Sequence, residues 1–164
     1  VFSLIVVSAA AIGDRDHEYV SGYMGSWTCT FTPHERQFLD GALGDRERTQ
    51  LSWRVEAIPP LLWAIQRIDV LPRPSETADF RVSRAVIEAG PSALAEQAKV
   101  RDVHAILDAA DLIYRYHWAV RNALLKGESA PTELNPGVVY ERHRALNWLI
   151  GYQDEEWDDV STDT

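Results

Sequence analysis

The chain has 164 residues, 46% of them hydrophobic, and its formal net charge is −9 at pH 7. A chain of this length and apolar content can bury enough surface for one folded domain, which excludes a disordered protein. Its excess of acidic residues repels phosphate groups, which argues against binding to nucleic acid or to an anionic membrane.

Helical patterns fill the start of the chain. The apolar run 1–12 predicts a buried helix, because a membrane-spanning helix needs about 20 such residues. No basic region or start methionine precedes it, so we expect the chain to be truncated at its N-terminus. Residues 14–27 predict a second helix, weakened by its glycines. Residues 32–41 predict a short third helix, in which Thr32 and Glu35 form a capping box.

The segment 45–66 predicts the central helix. Its apolar residues occupy two faces, which indicates burial on two sides. One face carries Leu51, Val55, Ile58 and Leu62, and the other carries Trp53, Ala57 and Leu61. Pro59 and Pro60 lie inside the segment and should kink or break it.

The rest of the chain predicts further helices around a Pro-rich connector. The connector covers residues 69–79, and the predicted helices cover 77–90, 91–99, 100–126 and, after the cap residue Asn135, 136–150. No segment alternates convincingly with a period of two. The sequence therefore predicts the all-α class: one compact domain over residues 1–164, with about six to eight helices and a docked C-terminal tail.

The long helix predicted at 100–126 has an apolar stripe and a polar face. The stripe, at about 100° per residue, holds Val103, Ile106, Leu107, Ala110, Ile113, Tyr114, His117, Arg121 and Leu124. His117 and Arg121 are thus predicted to point toward the core, where a histidine is usually hydrogen-bonded. The polar face holds His104, Asp108, Asp111 and Arg115. It indicates either a metal or acid–base face or a solvated face with an Asp111–Arg115 pair.

The last predicted helix carries an arginine inside its apolar stripe. Val138, Val139, Ala145, Leu146 and Leu149 form that stripe, with Arg142 in the middle. Because a buried charge must be paired, we expect Arg142 to bond a carboxylate, either Glu56 or one in the segment 154–159. Arg54 and Arg115 could join the same network. Such a network has three interpretations: a structural cluster, a pocket for an anionic group, or a catalytic site.

The C-terminal tail contains a second tryptophan close to that helix. Solvated acidic tails rarely carry tryptophan, so we expect Trp157 to pack near Trp148 or near Trp53. We expect the carboxylates of the tail to meet arginines, for which Arg144, Arg142 and Arg54 are the candidates. The alternative is a disordered acidic end.

Short catalytic or cofactor-binding motifs are absent from the sequence. It contains no phosphate loop, dinucleotide fingerprint, GxSxG or HExxH pattern. Cys29 is the only cysteine, so no internal disulfide can form, and one thiol is not a zinc site. We therefore expect no metal and no cofactor.

Several ordered blocks resemble a known family. The segments "LSWRVEAIPPLLWAI", "DLIYRYHWAVRNAL", "YERHRALNWLIG" and "WDDVSTDT" resemble the domain-of-unknown-function family 4272. The resemblance covers roughly residues 30–164. It implies a bacterial, cytoplasmic, helical domain. Because no activity is established for that family, the resemblance supplies no catalytic residue.

Three functions remain open at this stage. The first is a non-enzymatic protein-binding domain, for example an immunity or antitoxin-type partner of a basic protein. The second is a small enzyme or ligand-binding domain with an Arg/Glu-lined cleft, and the third is an accessory domain without a ligand. The residues predicted to form a network or a binding site are Arg54, Glu56, Arg115, His117, Arg142, Arg144, Trp148 and Trp157.

Overall fold

A computed structural model describes residues 1–13, 22 and 29–164, and within these ranges the chain contains helices and no β-strand. The α-helices are α1 (Phe2–Ile12), α2 (Pro33–Leu39), α3 (Asp45–Ser52), α4 (Ile58–Ala64), α5 (Phe80–Gln97), α6 (Val103–Leu125) and α7 (Pro136–Leu149). Short 3₁₀ turns cover Trp53–Ala57, Pro131–Glu133 and Tyr152–Asp154. The all-α prediction is confirmed. The helix predicted at 14–27 lies outside the described residues.

The predicted helix ends are confirmed where capping residues mark them. Thr32 accepts a hydrogen bond from the backbone N–H of Glu35, and Glu35 accepts one from the N–H of Thr32, which is the predicted capping box of α2. Asn135 caps α7 through the backbone N–H groups of Gly137 and Val138. These side chains satisfy N–H groups that the first turn of a helix leaves without a partner.

The predicted central helix is divided before its prolines and not at them. Pro59 and Pro60 occupy the first turn of α4, where a missing N–H costs nothing. Their rings would collide with the carbonyl groups four residues earlier if an α-helix ran straight into them. The preceding residues Trp53–Ala57 accordingly form a 3₁₀ turn.

The connector runs as a loop between α4 and α5. Arg101 fixes its start, since its side chain donates to the carbonyl oxygens of Trp63 and Ile68, and its guanidinium lies 4.5 Å from the centre of the Trp63 ring. Helix α5 is interrupted at Gly90, where φ is 78° and ψ is 169°. This is the predicted division at Gly90, because a left-handed φ favours glycine.

Helix α7 lies at the centre of the fold. It packs against α6, α4 and the 3₁₀ turn Trp53–Ala57, and every residue from Glu141 to Asn147 is buried. Near its start Gly137 lies against Trp53, so close that an added Cβ would be 2.8 Å from the ring. A helix covered on all sides buries its polar residues as well as its apolar ones.

The apolar core joins α7 to the rest of the chain. One cluster combines α1, α4, α5 and α7, a second combines α6 and α7, and a third combines α1, α2 and α3. Among the described helices, none is both long and apolar enough to cross a lipid bilayer.

The face of α6 that contacts the core differs from the predicted stripe. The buried residues are Ala110, Ile113, His117, Val120 and Ala123. Val103, Leu107, Tyr114 and Leu124 are exposed, although they were predicted to be buried. Arg121 is also exposed, so the prediction that it points toward the core is wrong. These exposed residues lie on a part of the helix surface that the described residues leave uncovered.

Candidate functional site

Two buried ion pairs connect α7 to the 3₁₀ turn Trp53–Ala57. Arg54 Nη1 lies 2.9 and 2.7 Å from the two carboxylate oxygens of Glu141. Arg142 Nη2 lies 3.2 Å from Glu56 Oε2. None of the four residues is more than 7% exposed. We call these four residues the buried ion-pair cluster; its charges cancel, which reduces the cost of removing them from water.

Arg142 is buried and paired as the sequence predicts. Its Nη1 donates to the carbonyl oxygen of Pro72 at 2.6 Å, while Glu56 also accepts the backbone N–H of Ala78 at 2.7 Å. The ion pair thus holds both ends of the connector. Burial raises the pKa of Glu56, and the Ala78 N–H and Arg142 oppose that rise. Burial likewise lowers the pKa of Arg142.

Arg142 is the one member of the buried ion-pair cluster that borders large cavities. One cavity, of about 530 Å³, lies between the connector and α6, and another, of about 400 Å³, lies on the α5 side of the connector. Most residues around the larger cavity are apolar, among them Trp63, Leu112 and Ile113. Among the described residues, Arg142 Nε has no hydrogen-bond partner.

Arg144 attaches the C-terminal tail to α7. Its Nη2 donates to the carbonyl oxygen of Trp157, and its guanidinium lies 4.7 Å from the centre of the Trp157 ring. That ring meets Trp148 edge to face, with centroids 5.4 Å apart. Burial lowers the pKa of Arg144 to about 10, and the positive charge of Arg54 acts in the same direction. The predicted packing of Trp157 near Trp148 is confirmed.

A tail carboxylate meets a helix N-terminus and not an arginine. Asp158 accepts the hydroxyl of Thr32 at 2.6 Å and the backbone N–H of His34 at 3.0 Å, at the start of α2. A carboxylate at this position is stabilised by the unpaired N–H groups and the dipole of the helix. Val160 is buried, and the Ser161 carbonyl accepts from Asn147 at 2.9 Å. The predicted contacts between tail carboxylates and arginines are therefore corrected.

Two buried histidines share one hydrogen bond between α6 and α7. Nδ1 of His117 and Nδ1 of His143 are 2.8 Å apart, so one ring must donate and the other accept. Tyr114 and Tyr140 each place a ring edge to face against the pair. Burial lowers the pKa of His143 to about 4, with a further contribution from His117. Burial also lowers the pKa of His117, and the charge of Arg121 adds to this.

We expect the free energy of unfolding to fall as the pH falls from about 6.5 to about 4. The unfolded chain binds a proton on His143 near its ordinary pKa of 6.5, whereas the folded chain binds it only near 4. Between these values the unfolded state holds more protons, so acid favours it. His143 should contribute a loss on the order of 2 kcal/mol between about pH 7.5 and about pH 5. Urea unfolding at both pH values measures it.

His143→Gln is the control for this prediction, since an amide can still donate to His117 but does not titrate. The variant should lose less stability on acidification than the original chain. Burial raises the pKa of Glu35 and Glu56, which stabilises the fold in acid, and the comparison cancels that effect. Equal acid sensitivity of both proteins would contradict the assignment to the histidine pair.

Two sequence-predicted candidates are exposed at the surface. Arg115 is exposed and binds Asp111 at 2.7 Å with i,i+4 spacing, so its predicted role in the network is wrong and the solvated pair is correct. Trp148 is 42% exposed. Of the described residues, no three His, Cys, Asp or Glu side chains are grouped so that they could hold a metal ion.

Several central residues were not predicted as site residues. Glu141, His143 and Asn147 are buried on α7, and Asp158 caps α2. The sequence carries no signal for the burial of the first three, because residues 141–144 are all polar and lie on several sides of the helix.

The fold and its interior define an all-α domain in which buried ion pairs and a histidine pair surround one central helix. The chain belongs to the family described as Domain of unknown function (DUF4272), whose family model matches residues 3–160. This confirms the resemblance. No curated protein and no solved structure matches the chain.

Proposed function

We propose that this protein is a non-enzymatic protein-binding domain that binds a basic protein through its C-terminal tail. The binding surface, which we call the acidic tail surface, combines exposed carboxylates with exposed aromatic rings. It consists of Trp148, Tyr152, Asp154, Glu156, Asp159 and Asp163.

The observation that carries the proposal is that this acidic tail is held in place. Trp157, Asp158 and Val160 anchor it on α7 and α2, while the carboxylates between and beside them stay exposed. Ordering a free tail on binding would cost about 1–2 kcal/mol per residue. A tail already ordered by the fold avoids that cost.

Charge determines the kind of partner. After Arg144 the sequence contains six acidic residues and no lysine or arginine. A uniform negative surface attracts a positive one and speeds their association, while exposed aromatic rings supply apolar contact area. A basic protein satisfies both features, and an immunity or antitoxin-type pairing with a basic toxin in the bacterial cytoplasm is the specific form that we propose.

The alternative of an Arg/Glu-lined cleft receives less support. In the buried ion-pair cluster the guanidinium and carboxylate groups point at one another and are almost fully covered. Such groups stabilise packing, whereas a substrate site needs charged groups that face an accessible space. Arg142 borders a cavity, but its carboxylate partner and Pro72 already take two of its donor groups.

The test is to identify the partner and then remove the charge. We expect affinity capture from the native host to enrich a protein of basic net charge, which is then purified. Its association with Asp154→Asn/Glu156→Gln/Asp159→Asn should be slower by about tenfold or more than with the original chain, and raised salt should abolish the difference.

A matched variant controls for net charge alone. Glu76→Gln/Glu96→Gln/Glu128→Gln removes three exposed carboxylates far along the chain from the tail. It should leave the association rate nearly unchanged. A partner that is acidic or is DNA, or an equal loss in both variants, would overturn the proposal.

A further inference from the structure

Helix α6 carries an apolar stripe that the described residues leave uncovered. Val103 is 60% exposed, Leu107 45%, Tyr114 44%, Trp118 54% and Leu125 83%. Single exposed apolar side chains are ordinary on protein surfaces, but a contiguous group of them marks an interaction surface. We call these five residues the α6 stripe; it shares no residue with the acidic tail surface.

The α6 stripe is straight. Its residues are spaced by four, seven, four and seven positions, and at about 100° per residue they stay within about 60° around the helix. The stripe is about 33 Å long, since the helix rises about 1.5 Å per residue. A straight stripe of this length fits another straight element of similar length, such as a second helix.

Charge is distributed unequally along the same helix. Exposed Asp108 and Asp111 lie in its first half, whereas exposed Arg115, Arg121 and Lys126 lie in or just after its second half. A second α6 in the antiparallel direction would place the basic half of each helix beside the acidic half of the other. A parallel arrangement would place like charges together, which is unfavourable.

We propose that two copies of this chain associate through the α6 stripe, with their helices antiparallel and Tyr114 close to the two-fold axis. In that register Val103 of each copy lies beside Leu125 of the other, and Arg121 lies beside Leu107, one position from Asp108. A two-fold interface is self-complementary in this way, because each contact occurs twice.

Sedimentation equilibrium of the full chain over a range of concentrations tests the association. Trp118→Glu removes the largest ring of the stripe and places a charge there, so it should raise the dimer dissociation constant by about thirtyfold or more. Leu112→Glu is the matched control: Leu112 is 47% exposed, comparable to Trp118 at 54%, but lies about 120° away around the helix. It should leave the dissociation constant unchanged. A monomer at every concentration, or equal effects of both substitutions, would overturn the proposal.

Disulfide crosslinking tests the direction of the helices. In a chain with Cys29→Ala, Tyr114→Cys should form a covalent dimer under mild oxidation, because the two cysteines meet at the axis. Leu125→Cys should not, because antiparallel packing separates the two residues by about 33 Å. Crosslinking at both positions would show a parallel pair, in which every residue lies beside its counterpart, and would overturn the arrangement, as would the absence of crosslinking at position 114.

Discussion

Replacing Arg142 with alanine should lower the free energy of unfolding by about 3–5 kcal/mol, the usual cost of leaving a buried charge without its partner. The substitution removes the ion pair with Glu56 and the hydrogen bond to Pro72. Among the described residues, Glu56 would then keep only the backbone N–H of Ala78 as a partner. Chemical denaturation at neutral pH measures the change.

Two controls separate the charge from the packing. Arg115→Ala breaks an exposed ion pair and should cost less than about 1 kcal/mol. Glu56→Gln/Arg142→Met removes both charges and keeps most of the volume, so it should be more stable than Arg142→Ala alone. If Arg142→Ala costs no more than Arg115→Ala, the pair with Glu56 does not stabilise the fold.

The way in which the cost of Arg142→Ala changes with pH gives a further check on the pair of Arg142 with Glu56. Burial already raises the pKa of Glu56, and Arg142 is one of the groups that restrain this rise. In the Arg142→Ala variant the pKa of Glu56 should therefore rise further. A carboxyl whose pKa is raised by folding stabilises the folded state at low pH and loses that contribution as the pH rises. The cost of Arg142→Ala should therefore be smaller in mild acid than at neutral pH.

Local signals in the sequence were sufficient to predict the helix ends and the pairing of Arg142. Thr32 and Asn135 cap helices through their immediate neighbours, and such contacts depend on only a few consecutive residues. Arg142 stands in a row of apolar residues, so its burial follows from the helical period. Glu56 could be named as its partner because it lies between the buried rings and prolines of the neighbouring segment.

The features that the sequence did not reveal depend on contacts between distant segments. His117 and His143 are 26 positions apart, and Asp158 lies 124 positions from His34. Val103, Leu107 and Tyr114 of the α6 stripe were assigned to the core because a helical projection shows which residues share a face. It does not show how much of that face the neighbouring helices cover.

The 3₁₀ turn Trp53–Ala57 shows another feature that the sequence indicated only in part. The two prolines correctly indicated a break, but the steric conflict acts on the residues before them. The tightened turn places Arg54 and Glu56 so that both reach α7. A regular helix through these positions would separate them by about 200° and point them to different sides.

Deleting residues 152–164 should destabilise the protein, because the tail contributes several separate contacts. Asp158 makes two charge-assisted hydrogen bonds at the start of α2, each worth about 1.5–3 kcal/mol, and Val160 is buried. Because the tail is ordered in the fold, these contacts together outweigh the conformational entropy that its ordering costs. Thermal and urea unfolding measure the net effect.

The shorter deletion of residues 158–164 keeps Trp157 and separates the contribution of that ring from that of the later contacts. It should still lower stability, since it removes the carboxylate that caps α2. The longer deletion should lower it further, because it also removes the ring and the carbonyl that meet Arg144. Arg144 is 2% exposed and, among the described residues, its Nη1 already has no hydrogen-bond partner, so losing Trp157 leaves a buried charge with fewer contacts.

Asp158→Asn keeps the shape of the cap and removes its charge, and it should cost less than either deletion. Unchanged stability in both deletions would mean that the ordered tail contributes nothing to the fold, and the acidic tail surface would then lack the fixed position on which the proposed binding depends.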